Sequence, residues 1–173
     1  MSILLIGIDG AVGEALVRKL VQQGDEVRVL EGAADAVSWR ELGAHIASGD
    51  MWDADLIERA GQDVRTIVVG PEHRENPEEL TAAVVEGGRL VTADMRVVVY
   101  GTRVADEILT ILRASSLDYI ALHTGPARRR AVAPEAVAEA LDAADDLAGS
   151  VRLELDLGEP ASWTALKLGP PSP

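Results

Sequence analysis

The feature that most constrains the fold is a glycine-rich turn near the start of the sequence, within LLIGIDGAVGEALVRKL at residues 4–20. An apolar run leads into Gly7, Gly10 and Gly13, which are spaced three apart, and a helix-like pattern follows. A strand, such a turn and a helix place backbone N–H groups and the positive end of the helix dipole where a pyrophosphate can bind. The turn therefore predicts a dinucleotide site.

One residue of this turn, Asp9, carries a charge that opposes phosphate binding. At about 5 Å from a pyrophosphate charge, an ionised Asp9 would cost about 3 kcal/mol at an effective dielectric constant of about 20, and below about 1 kcal/mol in water-like surroundings. Its carboxylate could instead cap the following helix, which would stabilise the protein by about 1 kcal/mol. We therefore expect NAD(H) to bind, if at all, more weakly than to a relative with a neutral residue here.

Beyond the turn, short apolar runs alternate with helical patterns along the chain. Strands are predicted at residues 3–8, 26–30, 44–47, 65–69, 96–100, 118–122 and 151–157, and helices at 11–23, 36–42, 53–60, 77–86, 103–114 and 134–147. This alternation is typical of βαβ units, so we expect an α/β fold with a doubly wound, mostly parallel sheet and helices on both faces. We assign residues 1–158 to a single domain and residues 159–173 to a C-terminal tail.

The residue that follows the second predicted strand, Glu31, bears on the choice of dinucleotide. A carboxylate at this place can accept hydrogen bonds from both adenosine ribose hydroxyls and repels a 2′-phosphate, so it favours NAD over NADP. The alternative is that Glu31 is a solvated loop acid, because acidic residues are common in this chain.

Charge and composition exclude several classes of partner. The 173 residues include 16 Lys and Arg and 29 Asp and Glu, and the formal net charge of −13 repels nucleic acid and anionic lipid. No apolar run approaches the length of a membrane span, and no basic leader precedes the first strand, so we expect a cytoplasmic protein. Cysteine is absent and His45, His73 and His123 lack metal-ligand spacing, so no metal site is expected.

Four segments of the sequence resemble the atypical short-chain dehydrogenase/reductases, the NmrA-like, NAD(P)H-binding group. They are LLIGIDGAVGEALVRKLVQQGDEVRVL, LGAHIASGDMWDADLIERAGQDVRTIVVG, RVVVYGT and SSLDYIALHTGP, and the similarity extends from Ile3 to about Gly158. The resemblance implies a Rossmann fold, an NAD(P) cofactor and oxidoreductase chemistry on a small-molecule substrate. It also implies a homodimer.

The same resemblance implies which residues bind the cofactor. The glycine turn would hold the pyrophosphate, Glu31 the ribose, the residues after the third and fourth strands the adenosine, and Tyr100–Thr102 with His123–Gly125 would line the nicotinamide and substrate side. The implied cofactor-binding residues are Gly7, Ile8, Asp9, Gly10, Ala11, Val12, Gly13, Glu31, Asp50, Met51, Val69, Gly70 and Thr102.

The chain departs from the family at the catalytic residues. Catalytic members carry Tyr-x-x-x-Lys on the helix after the fifth strand, where the lysine helps the tyrosine to exchange a proton with the substrate. Counting back from Glu107 places Val99 and Arg103 at those two positions, and the only lysines of the chain are Lys19 and Lys167. The dyad is therefore absent. The segment that builds the substrate pocket in relatives is also shortened here, to PARRR.

Two residues remain as candidate catalytic groups. His123 ends a strand at the edge where doubly wound folds bind ligands, so it is either a proton donor or a histidine that is only hydrogen-bonded beside the pocket. Tyr100 is the alternative acid, although the sequence gives it no neighbouring lysine. Arg128–Arg130 is the one basic cluster, and it is either a solvated loop or a clamp for an anion.

Two functions follow from these residues. One is an NAD(P)-binding protein with weak or no redox catalysis, such as a nucleotide sensor or a repurposed biosynthetic protein, with complete loss of the cofactor as its extreme. The other is an NAD(P)H-dependent reductase that transfers hydride directly to a small planar substrate such as a flavin, quinone or enone. The missing dyad and the short pocket segment favour the first.

Overall fold

The computed structural model describes residues 2–8, 10–31, 36–71, 74–91, 95–125 and 132–169, along which strands and helices alternate. The strands are β1 (Ser2–Ile6), β2 (Glu26–Glu31), β3 (His45–Ser48), β4 (Thr66–Val69), β5 (Arg96–Gly101), β6 (Asp118–His123) and β7 (Arg152–Asp156). The helices are α1 (Gly10–Gln23), α2 (Ala36–Glu41), α3 (Ala54–Ala60), α4 (Pro77–Val91), α5 (Asp106–Ala114), α6 (Pro134–Asp145) and α7 (Pro160–Ala165). None of these helices combines the length and the apolar character that crossing a membrane requires.

The strands form one sheet in the order β3-β2-β1-β4-β5-β6-β7, and each neighbouring pair is parallel. The chain winds outward from β1 to β3 and then returns to the other side of β1 with β4. This reversal is a topological switch point, where doubly wound sheets bind ligands beyond the carboxyl ends of their strands. The predicted doubly wound α/β fold is confirmed, with a sheet that is entirely rather than mostly parallel in the described residues.

Two apolar layers cover the two faces of the sheet. Helices α1, α2, α6 and α7 pack over one face, which includes Leu5 and Val98, whereas α3, α4 and α5 pack over the other, which includes Leu4 and Val97. Successive side chains of a strand point to opposite faces, so each central strand contributes to both layers. This explains why the strands read as continuous apolar runs in the sequence.

Two helix boundaries differ from the predicted ones by three residues or more. Helix α4 continues to Val91 because Gly87 does not end the helix: a Cβ there would lie 2.7 Å from the carbonyl oxygen of Ala54, so this glycine allows α3 and α4 to pack closely. Helix α5 begins at Asp106, after an extended Ala105, and the predicted start at residue 103 therefore lies in the preceding loop.

Helix α7 lies in the stretch that the sequence analysis assigned to a C-terminal tail. Trp163 is 2% exposed, and its indole Nε1 donates a hydrogen bond to the carbonyl oxygen of Leu157 at 2.8 Å. Leu166 is also buried, and Leu168 packs against the same apolar layer. The buried residues of this six-residue helix, Ser162 and Trp163, are adjacent rather than three or four apart, so the sequence shows no helical period. The packed structure thus continues past residue 158.

Candidate functional site

Two glycines form the floor of the switch point, where the carboxyl ends of β1 and β4 meet. The N–H of Gly70 donates to the carbonyl oxygen of Ile6 at 3.1 Å, and a Cβ on Gly70 would lie 3.2 Å from the carbonyl oxygen of Gly7. Gly7 has a φ of +64°, and a Cβ there would lie 3.4 Å from the carbonyl oxygen of Gly70. A side chain at either position would fill the space between the strand ends, so both positions favour glycine.

The other two glycines of the turn have different roles. Gly10 has a φ of +62°, begins α1, and faces open space where a Cβ would be. Gly13 is buried, and a Cβ there would lie 2.7 Å from Cη2 of Trp39 and 2.9 Å from Cγ2 of Ile8. Gly13 therefore allows α1 to pack closely on α2 and on the end of β1, while Gly10 and the exposed Ala11 leave the start of α1 accessible.

This geometry fits the pyrophosphate of a dinucleotide. The first N–H groups of a helix lack intrahelical partners and attract anions, and the start of α1 is accessible beside the floor formed by Gly7 and Gly70. The first turn of α1 contains no acidic residue. Asp9 lies outside the described residues, so its effect on phosphate binding remains a prediction.

A cation that the sequence analysis did not single out lies against the turn. Nε of Arg74 donates to the carbonyl oxygen of Gly7 at 3.4 Å, and the side chain is half-buried. Arg74 belongs to the loop between β4 and α4 and is 67 residues away from Gly7 in sequence. A single arginine in the acidic stretch PEHRENPEE belongs to no recognised motif, so only the three-dimensional contact identifies it.

The predicted adenosine residues lie at the carboxyl ends of β2, β3 and β4 or just after them. Glu31 ends β2 opposite Ser48 of β3, but its side chain is not among the described ones. Asp50 is exposed, and its Oδ1 accepts a hydrogen bond from the N–H of Trp52 at 3.0 Å. The side chains of Met51 and Val69 are buried in the layer under α3, α4 and α5, so these two residues can offer a ligand only their backbone.

The two predicted catalytic residues lie on opposite faces of the sheet. Tyr100 packs with the layer under α1 and α6, and its ring covers Gly70, where a Cβ would lie 2.9 Å from Cε1 of the ring. His123 points toward the other layer, where its Nδ1 accepts a hydrogen bond from the N–H of the buried Val104 at 3.1 Å. The structure therefore brings Tyr100 together with the glycine floor and places His123 beside the loop before α5.

The hydrogen bond to His123 defines its chemistry. A neutral imidazole that accepts at Nδ1 carries its proton on Nε2, so His123 can donate from that nitrogen. Thr102, the remaining residue predicted at this end, is exposed in the same loop. Arg128–Arg130, the other candidate beside this edge, lies outside the described residues, as does His73. In the described segments, no three or more potential metal-ligating side chains cluster.

The positions of the Tyr–Lys dyad hold no equivalent pair. Val99 is completely buried in β5, and Arg103 lies in the loop before α5. Nζ of Lys19 is 3.4 Å from a carboxylate oxygen of Asp142, and Lys19 lies about 13 Å along α1 from its start at a rise of about 1.5 Å per residue. Lys167 follows α7. No lysine is therefore placed to activate Tyr100.

Comparison with a family model gives an independent result. The model of the NAD dependent epimerase/dehydratase family matches residues 3–96, which include the glycine turn and strands β1 to β4 and extend to the first residue of β5. No curated protein is similar enough in sequence to count as a match.

Comparison with solved structures finds the same fold in several reductases. ChuY, an anaerobillin reductase from Escherichia coli O157:H7, has a TM-score of 0.71 and 14% identity over 90% of this chain and 96% of that chain. Citrobacter sp. triphenylmethane reductase, complexed with NADP(H), has a TM-score of 0.70 and 12% identity over 90% and 69% of the two chains. Vestitone reductase from alfalfa has a TM-score of 0.67 and 12% identity over 90% and 76%. At these identities the similarity shows the fold alone.

Proposed function

The chain belongs to the NAD dependent epimerase/dehydratase family, and from this premise we propose that it is a dinucleotide-binding protein with weak or no redox catalysis. The predicted similarity to NAD(P)H-binding short-chain dehydrogenase/reductases is confirmed at the level of the family and fold. The observation that carries the proposal is the combination of an open glycine turn with Val99 and Arg103 where catalytic relatives have tyrosine and lysine. A nucleotide sensor or a repurposed biosynthetic protein needs the glycine turn but does not need the tyrosine and lysine.

Three groups of residues would bind the cofactor, one at the pyrophosphate, one at the adenosine and one at the nicotinamide. The backbone of residues 7–13 would hold the pyrophosphate, since the start of α1 is accessible beside the glycine floor. Glu31 would accept from the adenosine ribose and favour NAD over NADP, and Asp50 would lie at the adenine edge. Gly70 would contact the adenosine face, and Thr102 would lie at the nicotinamide. Bound NAD(P) would supply hydride transfer.

The weak catalysis follows from what Tyr100 and His123 can do. Without a lysine nearby, no ammonium group stabilises a Tyr100 phenolate, so proton exchange through its hydroxyl is slow. His123 has the Nε2 proton to donate, but its Nδ1 is already engaged with Val104. Binding and orientation of a nucleotide need neither group, so the protein can bind a nucleotide even where proton transfer is slow.

A second candidate function, an NAD(P)H-dependent reductase of a small planar substrate, rests on His123. A neutral histidine that donates from Nε2 can polarise or protonate a substrate oxygen while hydride is transferred directly, which requires little besides positioning. The structural neighbours described above are named as reductases, which also supports this candidate. Oxidation of NADH in the presence of a flavin, quinone or enone, reduced at least tenfold both in His123→Leu and in His123→Asn, which can keep an acceptor for the N–H of Val104, would favour the reductase.

We propose further that the protein is cytoplasmic and forms a homodimer. Its acidic composition suits a soluble environment, and the homodimer follows from the resemblance to relatives that pair through equivalent helices. Light scattering coupled to size-exclusion chromatography tests the dimer, for which we expect twice the 18.3 kDa chain mass.

Calorimetric titration of NADH and NADPH tests the proposed function. We expect the wild type to bind NADH more tightly than NADPH, Glu31→Ala to reduce that preference, and Asp9→Ala to bind both more tightly because a negative charge has been removed from the turn. Failure of the wild type and of Asp9→Ala to bind either nucleotide would show that the turn is retained only for folding.

A further inference from the structure

Arg74 makes two close approaches to the glycine turn. Its Nε donates to the carbonyl oxygen of Gly7 at 3.4 Å, and a Cβ built on Gly7 would lie 3.3 Å from the same nitrogen. The guanidinium therefore lies at the end of β1, beside the switch point. Its half-buried position and its origin in the loop between β4 and α4 place a fixed positive charge where the sheet changes winding direction.

The charge of the chain makes this position significant. The protein has a net charge of −13, and the sequence of the turn includes Asp9, so two sources of negative charge oppose the binding of a pyrophosphate. An arginine remains charged at all physiological pH values and presents five N–H donors in a planar fork suited to phosphate oxygens. A cation held at Gly7 would offset both unfavourable charges where the phosphates bind.

We propose that Arg74 is a binding residue for the pyrophosphate of the cofactor, acting beside the backbone N–H groups of the turn. The proposal rests on the proposed function, because it assumes that the turn binds a dinucleotide. It goes beyond the family's glycine turn by assigning part of the phosphate affinity to a side chain from a different loop. Arg74 would then determine how well this acidic chain retains the nucleotide.

Calorimetric titrations of three ligands test the role of Arg74. NADH and ADP-ribose contain the pyrophosphate, whereas adenosine lacks it. We expect Arg74→Gln to weaken NADH and ADP-ribose binding about tenfold or more and to change adenosine binding less than about twofold, since charge-assisted hydrogen bonds to phosphate would be lost. Arg74→Lys, which keeps the charge but not the fork, is expected to be intermediate.

The control is Arg89→Gln, which removes an exposed arginine that pairs with Glu86 on α4, and it should leave all three affinities within about twofold of the wild type. Circular dichroism establishes that each variant is folded. If Arg74→Gln does not fold, Arg74→Lys replaces it. Its affinity for NADH and ADP-ribose should then fall while its affinity for adenosine stays within about twofold of the wild type, and unchanged NADH and ADP-ribose affinities would overturn the proposal.

The outcomes separate this inference from the proposed function. A wild type that binds neither NADH nor ADP-ribose overturns both. A wild type that binds NADH, together with an Arg74→Gln variant that binds it equally well, overturns only the assignment of Arg74. Equal weakening of adenosine and NADH would also overturn the assignment, because Arg74 would then brace the turn rather than contact phosphate.

Discussion

The imidazole of His123 accepts a hydrogen bond at Nδ1 from the backbone N–H of Val104, with 3.1 Å between the two nitrogens. The backbone carbonyl of the same histidine accepts from the N–H of Leu157 at 2.7 Å. His123 therefore joins the end of β6 to the loop before α5 and to the segment that follows β7. The residue thus has a structural role that is separate from any part in proton transfer.

Removing the acceptor at His123 is expected to destabilise the protein. Val104 is 4% exposed, so His123→Leu leaves its N–H buried without a partner, and we expect the free energy of unfolding in urea to fall by about 1–3 kcal/mol. His123→Asn, which can place an oxygen near the position of Nδ1, should recover part of this loss. Equal stability of the leucine variant and the wild type would show that the hydrogen bond contributes nothing.

Close packing of Gly13 on Trp39 gives a second prediction. A Cβ at residue 13 would lie 2.7 Å from Cη2 of Trp39, so Gly13→Ala should lower the free energy of unfolding by about 1–3 kcal/mol through overpacking. Phenylalanine lacks the atom that meets the new methyl group. In a Trp39→Phe background the same substitution should therefore cost less, as measured by a double-mutant cycle. Strictly additive effects would contradict this explanation.

The parts of the fold that the sequence predicted are those determined by local pattern. The apolar runs gave all seven strands because a parallel sheet covered on both faces needs nearly continuous apolar residues. The spacing of Gly7, Gly10 and Gly13 predicted the turn because the backbone conformation of a turn depends on the residues within it. Helix α7 was missed because its buried residues, Ser162 and Trp163, are adjacent and therefore show no helical spacing.

The site could be predicted only in outline, because its contacts join residues that are distant in sequence. The pair formed by Arg74 and Gly7 spans 67 residues, and the pair formed by Val104 and His123 spans 19. The placement of Tyr100 and His123 on opposite faces depends on the register between β5 and β6, in which Gly101 pairs with His123. The spacing of residues within one segment does not determine the register between two strands.

Arg96 gives a third prediction, on the stability of the scaffold. This arginine is 7% exposed, and its two terminal nitrogens donate at 2.8–3.0 Å to carbonyl oxygens at the end of α6 and in the loop after it, those of Ala144, Asp145, Leu147 and Gly149. We expect Arg96→Met to lower the free energy of unfolding by about 3 kcal/mol or more, because the buried carbonyls of Ala144 and Asp145 lose a charged donor. Arg18→Met, which removes an exposed pair with Glu14, should cost under about 0.5 kcal/mol.

The ion pair between Arg113 and Glu154 predicts a pH dependence of stability. The Arg113 guanidinium, which donates to both carboxylate oxygens at 2.8 and 2.7 Å, holds the pKa of Glu154 below its ordinary value. A carboxyl group whose pKa is lowered by folding stabilises the protein above its unfolded pKa, about 4.3, and that stabilisation is lost as the pH falls through the lower folded value. A double-mutant cycle of Arg113→Met and Glu154→Gln, measured by urea unfolding, should therefore give a constant coupling energy from about pH 8 to pH 5 that declines below about pH 4. A coupling energy that is unchanged in acid would contradict the assignment of the lowered pKa to this pair.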